Sequence, residues 1–383
     1  MTLPTVAVIF GSRSAEHDVS IITAIGSVIK PLRLGGNYRV LPVYITKDGH
    51  WYADDRLGDI ELYTTDRIDG FVKRKRPVQL SFQSGLELVE PGFGGRRHHI
   101  DAVFPATHGT FGEDGSLQGL LRMANVPYVG CGMRASVIAM DKVLTKQILE
   151  AHGLPSVKWR AFDKSDYLSE PQAVVKEVRS LRLPLYVKPP RLGSSIGITR
   201  VEQASEIEKA LEVAFYFDDR VIVEEAVVEL TEVTVPIMGN REPRAAMVEE
   251  ILAEGDDFFD FETKYMHQGK KKGEGKKGSP QTRIPARLPK ELYARCEELA
   301  LATYRAIGGS GTARIDLLID KKTSRVYVNE VNPLPGFLYA HNWKVAGVTN
   351  VELVETLVRL AYERFDEQQK LITSFETSYL RQF

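Results

Sequence analysis

Apolar positions follow two rhythms along this chain. Short continuous runs that end in glycine or proline alternate with longer stretches whose apolar residues recur at helical spacing. Val6-Ala7-Val8-Ile9-Phe10-Gly11 is of the first kind and predicts a buried, parallel strand. Val19 to Ile29 has helical spacing, and Val40 to Ile45 reads as a second strand. Asp101-Ala102-Val103-Phe104-Pro105 reads as another, and its glycine-rich loop leads into a helix over Leu117 to Ala124. This alternation predicts an α/β domain. Met133 to His152 predicts one long helix, stopped by Gly153-Leu154-Pro155. Leu185 to Lys188 and Val221 to Glu224 read as short strands, separated by Gly193-Ser194-Ser195-Ile196-Gly197 and a helical Ala204 to Ala214. Ala313 to Asp320 and Arg325 to Asn332 predict an antiparallel hairpin around Lys321-Lys322-Thr323-Ser324. Val351 to Phe365 predicts an amphipathic closing helix, with a polar tail after it.

A chain of 383 residues exceeds one ordinary core, so two or three domains are expected. Hydrophobic residues at 43% and charged residues at 26% fit a globular protein. Fifty Lys plus Arg against 51 Asp plus Glu argues against a general nucleic-acid binder, which carries a basic excess. Two cysteines far apart, Cys131 and Cys296, make no disulfide framework and suit a reducing compartment. No run approaches the ~18 apolar residues of a membrane span, and Met1-Thr2-Leu3-Pro4 enters a strand with no basic leader region. The expectation is a cytoplasmic enzyme or binding protein that engages neither membrane nor nucleic acid. The one low-complexity stretch, Gly269 to Ser279, holds five lysines and four glycines and reads as a loop outside any core.

Several patterns compete for chemistry. Gly130-Cys131-Gly132-Met133-Arg134-Ala135 matches a dinucleotide-binding turn, but no acidic residue ends a second strand about twenty residues on, and a strand-to-helix turn needs glycines anyway. His98-His99 lack metal-ligand spacing. The hairpin is more informative. Alternation puts Arg314 and Asp316 on one face, and Glu330 and Asn332 on one face with Val326 and Val328. With a five-residue connection, Asp316 lies opposite Glu330. Two carboxylates and an amide oxygen then converge as a hard-cation site, or Arg314 neutralises the acids in a salt-bridged hairpin; these residues alone leave both open. Asn332-Pro333-Leu334-Pro335-Gly336 follows, where Gly336 and Arg314 could form an oxyanion hole. Lys188 ends a strand before the Gly193 to Gly197 loop, a pattern that cradles phosphates or makes an ordinary surface turn.

Taken in register, seven segments resemble the D-alanine–D-alanine ligase family of the ATP-grasp superfamily. They are Gly11 to Ser20, His108-Gly109-Thr110-Phe111-Gly112-Glu113-Asp114-Gly115 to Gly119, Met140-Asp141-Lys142, Lys188 to Gly197, Lys264-Tyr265, Ala313-Arg314-Ile315-Asp316 and Asn329-Glu330-Val331-Asn332. The resemblance implies a three-domain ATP-grasp architecture, mixed α/β and α+β. Residues 1–130 would be the N-terminal α/β substrate domain and 131–224 the central ATP-grasp domain. Residues 225–365 would be the C-terminal ATP-grasp domain, and 366–383 an extension. It implies an ATP-dependent carboxylate–amine ligase that joins two D-alanines through an acyl phosphate for peptidoglycan precursors, or a relative with another acceptor amine in specialised metabolism.

Carried over by position, Lys142, Lys188 and Ser195 would contact ATP phosphates, Glu224, Glu225 and Val227 the adenine, and Glu232 the ribose. Asp316, Glu330 and Asn332 would hold Mg2+, with a second Mg2+ expected and Mn2+ as a substitute. Glu16, held by Ser194 and Tyr265, would take the ammonium of the first amino acid. His108, Lys264, His341 and Asn342 would lie by the substrates, and Arg314 and Gly336 would stabilise the tetrahedral intermediate. A homodimer acting on small amino acids is implied. The chain departs from the family in a longer, lysine-rich Met266 to Arg283 segment. It also lacks the Ser-containing stretch that follows Pro-Gly and meets the second substrate's carboxylate; Phe337 to Trp343 stands there.

Overall fold

The computed structural model describes residues 3–252, 281–374 and 376–383. Among the described residues there are three main sheets and one small one. In the first, Thr5–Gly11 runs parallel to Arg39–Ile45 and to Ala102–Pro105, with Trp51–Ala53 antiparallel at the edge. Every residue of Thr5–Gly11 is buried, as a strand covered on both faces must be. Gly11 then turns the chain with φ +89°, and a Cβ there would sit 2.1 Å from the Ile45 carbonyl oxygen, so no side chain fits. Helical residues follow without a break from His17 to Gly35, with a π segment over Thr23–Ile29.

The second sheet is antiparallel, in the order Thr199–Val201, Leu185–Lys188, Arg220–Glu225, Trp159–Asp163. The third pairs Leu230–Met238 with both Glu249–Leu252 and Thr312–Asp320, and the latter with Val326–Asn332. Helix Lys290–Ala306 covers it, burying Cys296, Leu299, Ala300 and Tyr304. Gly130 to Ala135, the dinucleotide-like turn, packs inward instead: Gly132 N–H donates to Ser310 Oγ (3.2 Å), and the Cys131 thiol faces the Thr312 carbonyl.

Two expectations are corrected. The helix over Met133 to His152 is two helices, Met133–Met140 and Lys142–Ala151. Asp141 breaks it in an extended conformation, and its carboxylate accepts from the N–H groups of Val143 (2.8 Å) and Leu144 (3.1 Å), so a new N-terminus begins there. In the hairpin, a bulge between Asp316 and Leu317 pairs Asp316 with Glu330 but Leu317 with Val328, which leaves Asn329 unpaired. The extra residue flips the face. Val326 and Val328 point into the core, while Glu330 and Asn332 point away from it. The amphipathic helix expected over Val351 to Phe365 is present as Asn350–Gln369, and it buries Leu353, Val354, Leu357 and Val358 in the same core as Val6, Phe10 and Ile25 of the first sheet's layer, far away in sequence. No helix among the described residues is long and apolar enough to cross a membrane.

Candidate active site

Two connected cavities lie where the three sheets meet. The larger cleft is lined by Lys142, Lys188, Ser195, Glu224, Glu225, Val227, Glu232 and Glu330. The break at Asp141 sets Lys142 on the first turn of its helix, with Nζ 2.9 Å from the Leu192 carbonyl and 3.7 Å from Glu330. Lys188 ends its strand with Nζ 2.5 Å from Glu224 Oε2. The other Glu224 oxygen pairs at 2.9 Å with Lys146, a lysine that no motif singled out. Glu224 is buried, and burial alone would raise its pKa. The ammonium groups of Lys146 and Lys188 outweigh that and hold it at about 2. Both Glu224 oxygens are therefore engaged, so this residue organises lysines as much as it lines the cleft. Glu225 accepts from the Arg182 N–H (3.0 Å). Ser194 and Ser195 sit at φ +56° and +59°, a left-handed pair that non-glycine residues rarely adopt and that costs of order 1–3 kcal/mol each.

At the mouth of this cleft the bulged hairpin gathers its acids. Arg314 lies opposite Asn332 and Asp316 opposite Glu330. Arg314 Nε donates to Asp316 Oδ1 (2.5 Å) and its Nη2 to Oδ2. Asn332 Nδ2 donates to Asp316 Oδ2 (3.1 Å), and Glu330 lies 4.0 Å from the guanidinium. Both sequence alternatives thus describe the same atoms. The ion-paired hairpin is present, and its oxygens suit Mg2+. That ion takes one or two carboxylates and completes its shell with waters and phosphates, and the Lys142 ammonium stands 3.7 Å from Glu330.

The smaller cavity is lined by Glu16, His108, Glu113, Lys142, Ser194, Arg314, Glu330, Asn332 and Gly336, among others. It joins Glu16, His108 and Glu113, from loops that follow strands of the first sheet, and Ser194, from the loop after Leu185–Lys188, to Arg314, Glu330 and Asn332 on the third sheet. The Ser194 hydroxyl donates to Glu16, across 178 residues of sequence. Gly109, at φ +69°, lets the chain pass Glu16: a Cβ would fall 2.6 Å from Glu16 Oε2 and from Ser14 Oγ. His108 Nε2 lies 3.0 Å from Thr23 Oγ1. Burial pushes its pKa down to about 4, with the Arg314 charge adding to the effect, so the ring is neutral near pH 7. Glu113 appeared in the His108 to Gly119 motif without a role. Its carboxyl accepts from Gly109 N–H (2.7 Å) and Leu334 N–H (3.3 Å), tying that loop to the Pro-Leu-Pro-Gly segment. Burial and the neighbouring Glu16 push it up to about 8.

Gly336 opens a short turn in which Phe337, Leu338 and Tyr339 are all left-handed. Tyr339, also unforeseen, lies under the Arg314 guanidinium at 4.9 Å from the ring centroid. His341 and Asn342 do not join the cavities. His341 Nε2 is 3.2 Å from Glu249, and Asn342 is wholly buried, donating to the Met247 carbonyl (3.0 Å). The buried Asn342 amide braces the turn, and neither residue lines the cavities. Lys264, Tyr265 and the Gly269 to Ser279 stretch lie outside the described residues.

A family model described as the D-ala D-ala ligase N-terminus matches residues 5–131, and one described as its C-terminus matches residues 148–359. A D-alanine–D-alanine ligase of Bacillus cytotoxicus is 36% identical over 377 residues, covering 97% of this chain and 99% of that one. Another, of Thermosipho africanus, is 37% identical and covers 97% of both. Among solved structures, the D-alanine–D-alanine ligase of Coxiella burnetii superposes with a TM-score of 0.80 at 29% identity, covering 97% of each chain. The VanG D-Ala:D-Ser ligase of Enterococcus faecalis superposes at 0.78 with 31% identity, covering 94% of this chain and all of that one.

Proposed function

We infer the reaction from a plain premise: this chain belongs to the D-alanine–D-alanine ligase family. It is an ATP-dependent ligase that joins two D-alanines, and its dipeptide feeds peptidoglycan precursor synthesis. The observation that carries the residue-level reading is convergence. Glu16, Ser194, Arg314, Glu330, Asn332 and Gly336 line one small cavity, and that cavity shares Lys142, Ser194 and Glu330 with the lysine-lined cleft. In this reading residues 1–130 supply Glu16 and His108, residues 131–224 the lysines and the serine loop, and residues 225–365 the acids, with 366–383 an extension.

A carboxylate at neutral pH is a poor electrophile, so the first D-alanine must be activated. Glu16 takes its ammonium and Ser194 fixes the Glu16 carboxylate, which aims the substrate carboxylate at the γ-phosphate of ATP. Transfer forms an acyl phosphate and releases ADP. Such transfer depends on alignment and charge neutralisation, which Lys142 and Lys188 provide. Asp316, Glu330 and Asn332 would hold Mg2+, which supplies Lewis-acid charge at the phosphates when bound; Mn2+ is a plausible substitute chemically, and a second cation fits the same oxygen-rich mouth. The amine of the second D-alanine, having lost a proton, then attacks the carbonyl. The tetrahedral oxyanion meets Arg314 and the Gly336 N–H, and phosphate leaves. His108, neutral, is a neighbour able to accept or donate one hydrogen bond to the first substrate. The protein would work in the cytoplasm, as a homodimer.

The test is phosphate release with ATP, Mg2+ and paired D- and L-amino acids. Turnover with D-alanine as the sole amino acid, and positional isotope exchange in labelled ATP that requires D-alanine, are expected. Release that ignores D-alanine, or a stable adduct on the protein, would overturn the reading. D-Serine belongs in the panel because a D-Ala:D-Ser ligase shares the fold and because the Phe337 to Tyr339 turn departs from the family on the acceptor side.

A further inference from the structure

Among the described residues, Lys146 is a charge that the proposed reaction leaves without a role. It is wholly buried, lines neither cavity, and matches no motif. A buried ammonium is expensive to keep charged unless its partners are well placed. Its partners are specific. Nζ pairs with Glu224 Oε1 at 2.9 Å and donates to the Val328 carbonyl at 3.2 Å. Glu224 uses its second oxygen for Lys188, the lysine that faces the cleft. Val328 comes just before the unpaired Asn329 of the bulge that turns Glu330 outward. Four residues earlier on the same helix, and so on the same face, Lys142 reaches toward Glu330.

We propose that Lys146 is a positioning residue for nucleotide binding: it shares Glu224 with Lys188, so that Lys188 keeps charge to offer the phosphates. The role rests on the reading that ATP occupies the cleft. The argument is one of charge. Two lysines against one carboxylate leave the cluster at net +1 beside the phosphate site. Without Lys146, Lys188 and Glu224 form a closed pair of net zero, and in a site shielded from water such a pair is held tightly. Phosphates must then pull Lys188 away from an undivided partner. The hydrogen bond to Val328 has a second consequence: the same ammonium joins the strand that carries Lys188's partner to the strand that carries Glu330.

The experiment is a double-mutant cycle of Lys146→Met and Glu224→Gln in the full chain, with KM for ATP, KM for D-alanine, kcat and thermal melting measured on each. Wild type must first show saturable ATP dependence; if it does not, the nucleotide reading has failed and not this role. Lys146→Met is expected to raise KM for ATP about tenfold, equal to about 1.4 kcal/mol, and to leave KM for D-alanine within twofold. Adding Glu224→Gln should bring KM for ATP back to within about threefold of Glu224→Gln alone, because the carboxylate that captures Lys188 is gone. A lower melting temperature with an unchanged KM for ATP would make Lys146 a packing residue and overturn the proposal. If Lys146→Met does not fold, the comparison of Glu224→Gln with the double variant still decides. Equal KM values support sharing, and a tenfold rise on removing Lys146 from Glu224→Gln means that Lys146 acts without Glu224 and refutes it.

Discussion

Replacing Glu330 by Gln isolates the cation site from the fold. The side chain is about a quarter exposed, lies 3.7 Å from Lys142 and 4.0 Å from Arg314, and makes a long contact with each. Partly exposed pairs of this length are worth at most ~1 kcal/mol, so the variant should unfold within about 1 kcal/mol of wild type in urea. Catalysis should suffer far more. The substitution removes one unit of negative charge and one strong oxygen ligand at the point where phosphate charge must be neutralised. Losing a group of this kind at a charged transition state costs on the order of 3 kcal/mol, or at least ~100-fold in kcat. Asp316→Asn is a poorer probe. Asp316 is nearly sealed, with Arg314 bonded to both of its oxygens, and breaking a buried pair costs ~3–5 kcal/mol of stability by itself. The assay is phosphate release at saturating ATP and D-alanine across a Mg2+ titration, beside urea melts of both variants. Glu330→Gln should need more Mg2+ and reach a lower plateau. A kcat within tenfold of wild type, at a Mg2+ requirement unchanged, would show that Glu330 merely trims the hairpin's charge.

His108, held near pKa 4 by burial, should show no ring titration by NMR between pH 5.5 and 8; a transition near its ordinary 6.5 would contradict its sealed position. Glu224 contributes stability that is fully present above its unfolded pKa of ~4.5 and is lost as pH falls toward 2. Urea melts should therefore weaken between pH 5 and 3, and Glu224→Gln should flatten that slope; an equal slope in the variant would refute the ion-pair assignment. Arg364, half-buried with hydrogen bonds to the Tyr128 and Gly130 carbonyls and to Ser310 Oγ, joins the last helix to two earlier segments. Arg364→Met should cost roughly 3 kcal/mol, since charged hydrogen bonds carry ~1.5–3 kcal/mol each, while KM for ATP in the folded fraction stays the same; a shifted KM would place Arg364 in the site's own mechanics.

The three parallel strands of the first sheet and the two inner strands of the second were legible because their apolar runs are continuous, whereas the edge strands Trp51–Ala53, Trp159–Asp163 and Thr199–Val201 are short or interrupted by polar residues and were not. The Asp316–Glu330 pairing agrees with the expectation from alternation and a five-residue connection, but for another reason: the strands begin one residue out of that register, with Ile319 opposite Val326, and the bulge brings Asp316 to Glu330. What alternation could not supply was the bulge at Asn329: one extra residue leaves no compositional trace, yet it decides which side of the strand Glu330 takes. Asp141 was readable in hindsight, since aspartate is a strong helix N-cap, but the apolar spacing on both sides suggested continuity. Lys146 hid for a different reason. A lysine within a helix reads as solvent-facing, and only the approach of Glu224 and Val328 from distant strands makes it internal. Asn342 is the opposite case, a polar residue next to the Pro-Gly segment that supports the backbone from within. The site's small cavity draws on residues more than 300 positions apart, so its closure could be expected only through resemblance, not through local pattern.

Packing of helix Asn350–Gln369 on the first sheet gives the chain a schedule as well as a shape. The parallel strands Thr5–Gly11, Arg39–Ile45 and Ala102–Pro105 are synthesised early, but the helix whose Leu353, Val354, Leu357 and Val358 share their core emerges near the end. At ~5–20 residues per second, the roughly 250 residues between Pro105 and Leu357 take about 12–50 s to make. Throughout that interval the earliest lobe carries an apolar face with no cover. A fragment cut after residue 131 should therefore be a sticky, incomplete unit in a cell. Supplying residues 349–370 in trans, or moving them by circular permutation to precede Thr5, should let that lobe close while the rest of the chain is still on the ribosome.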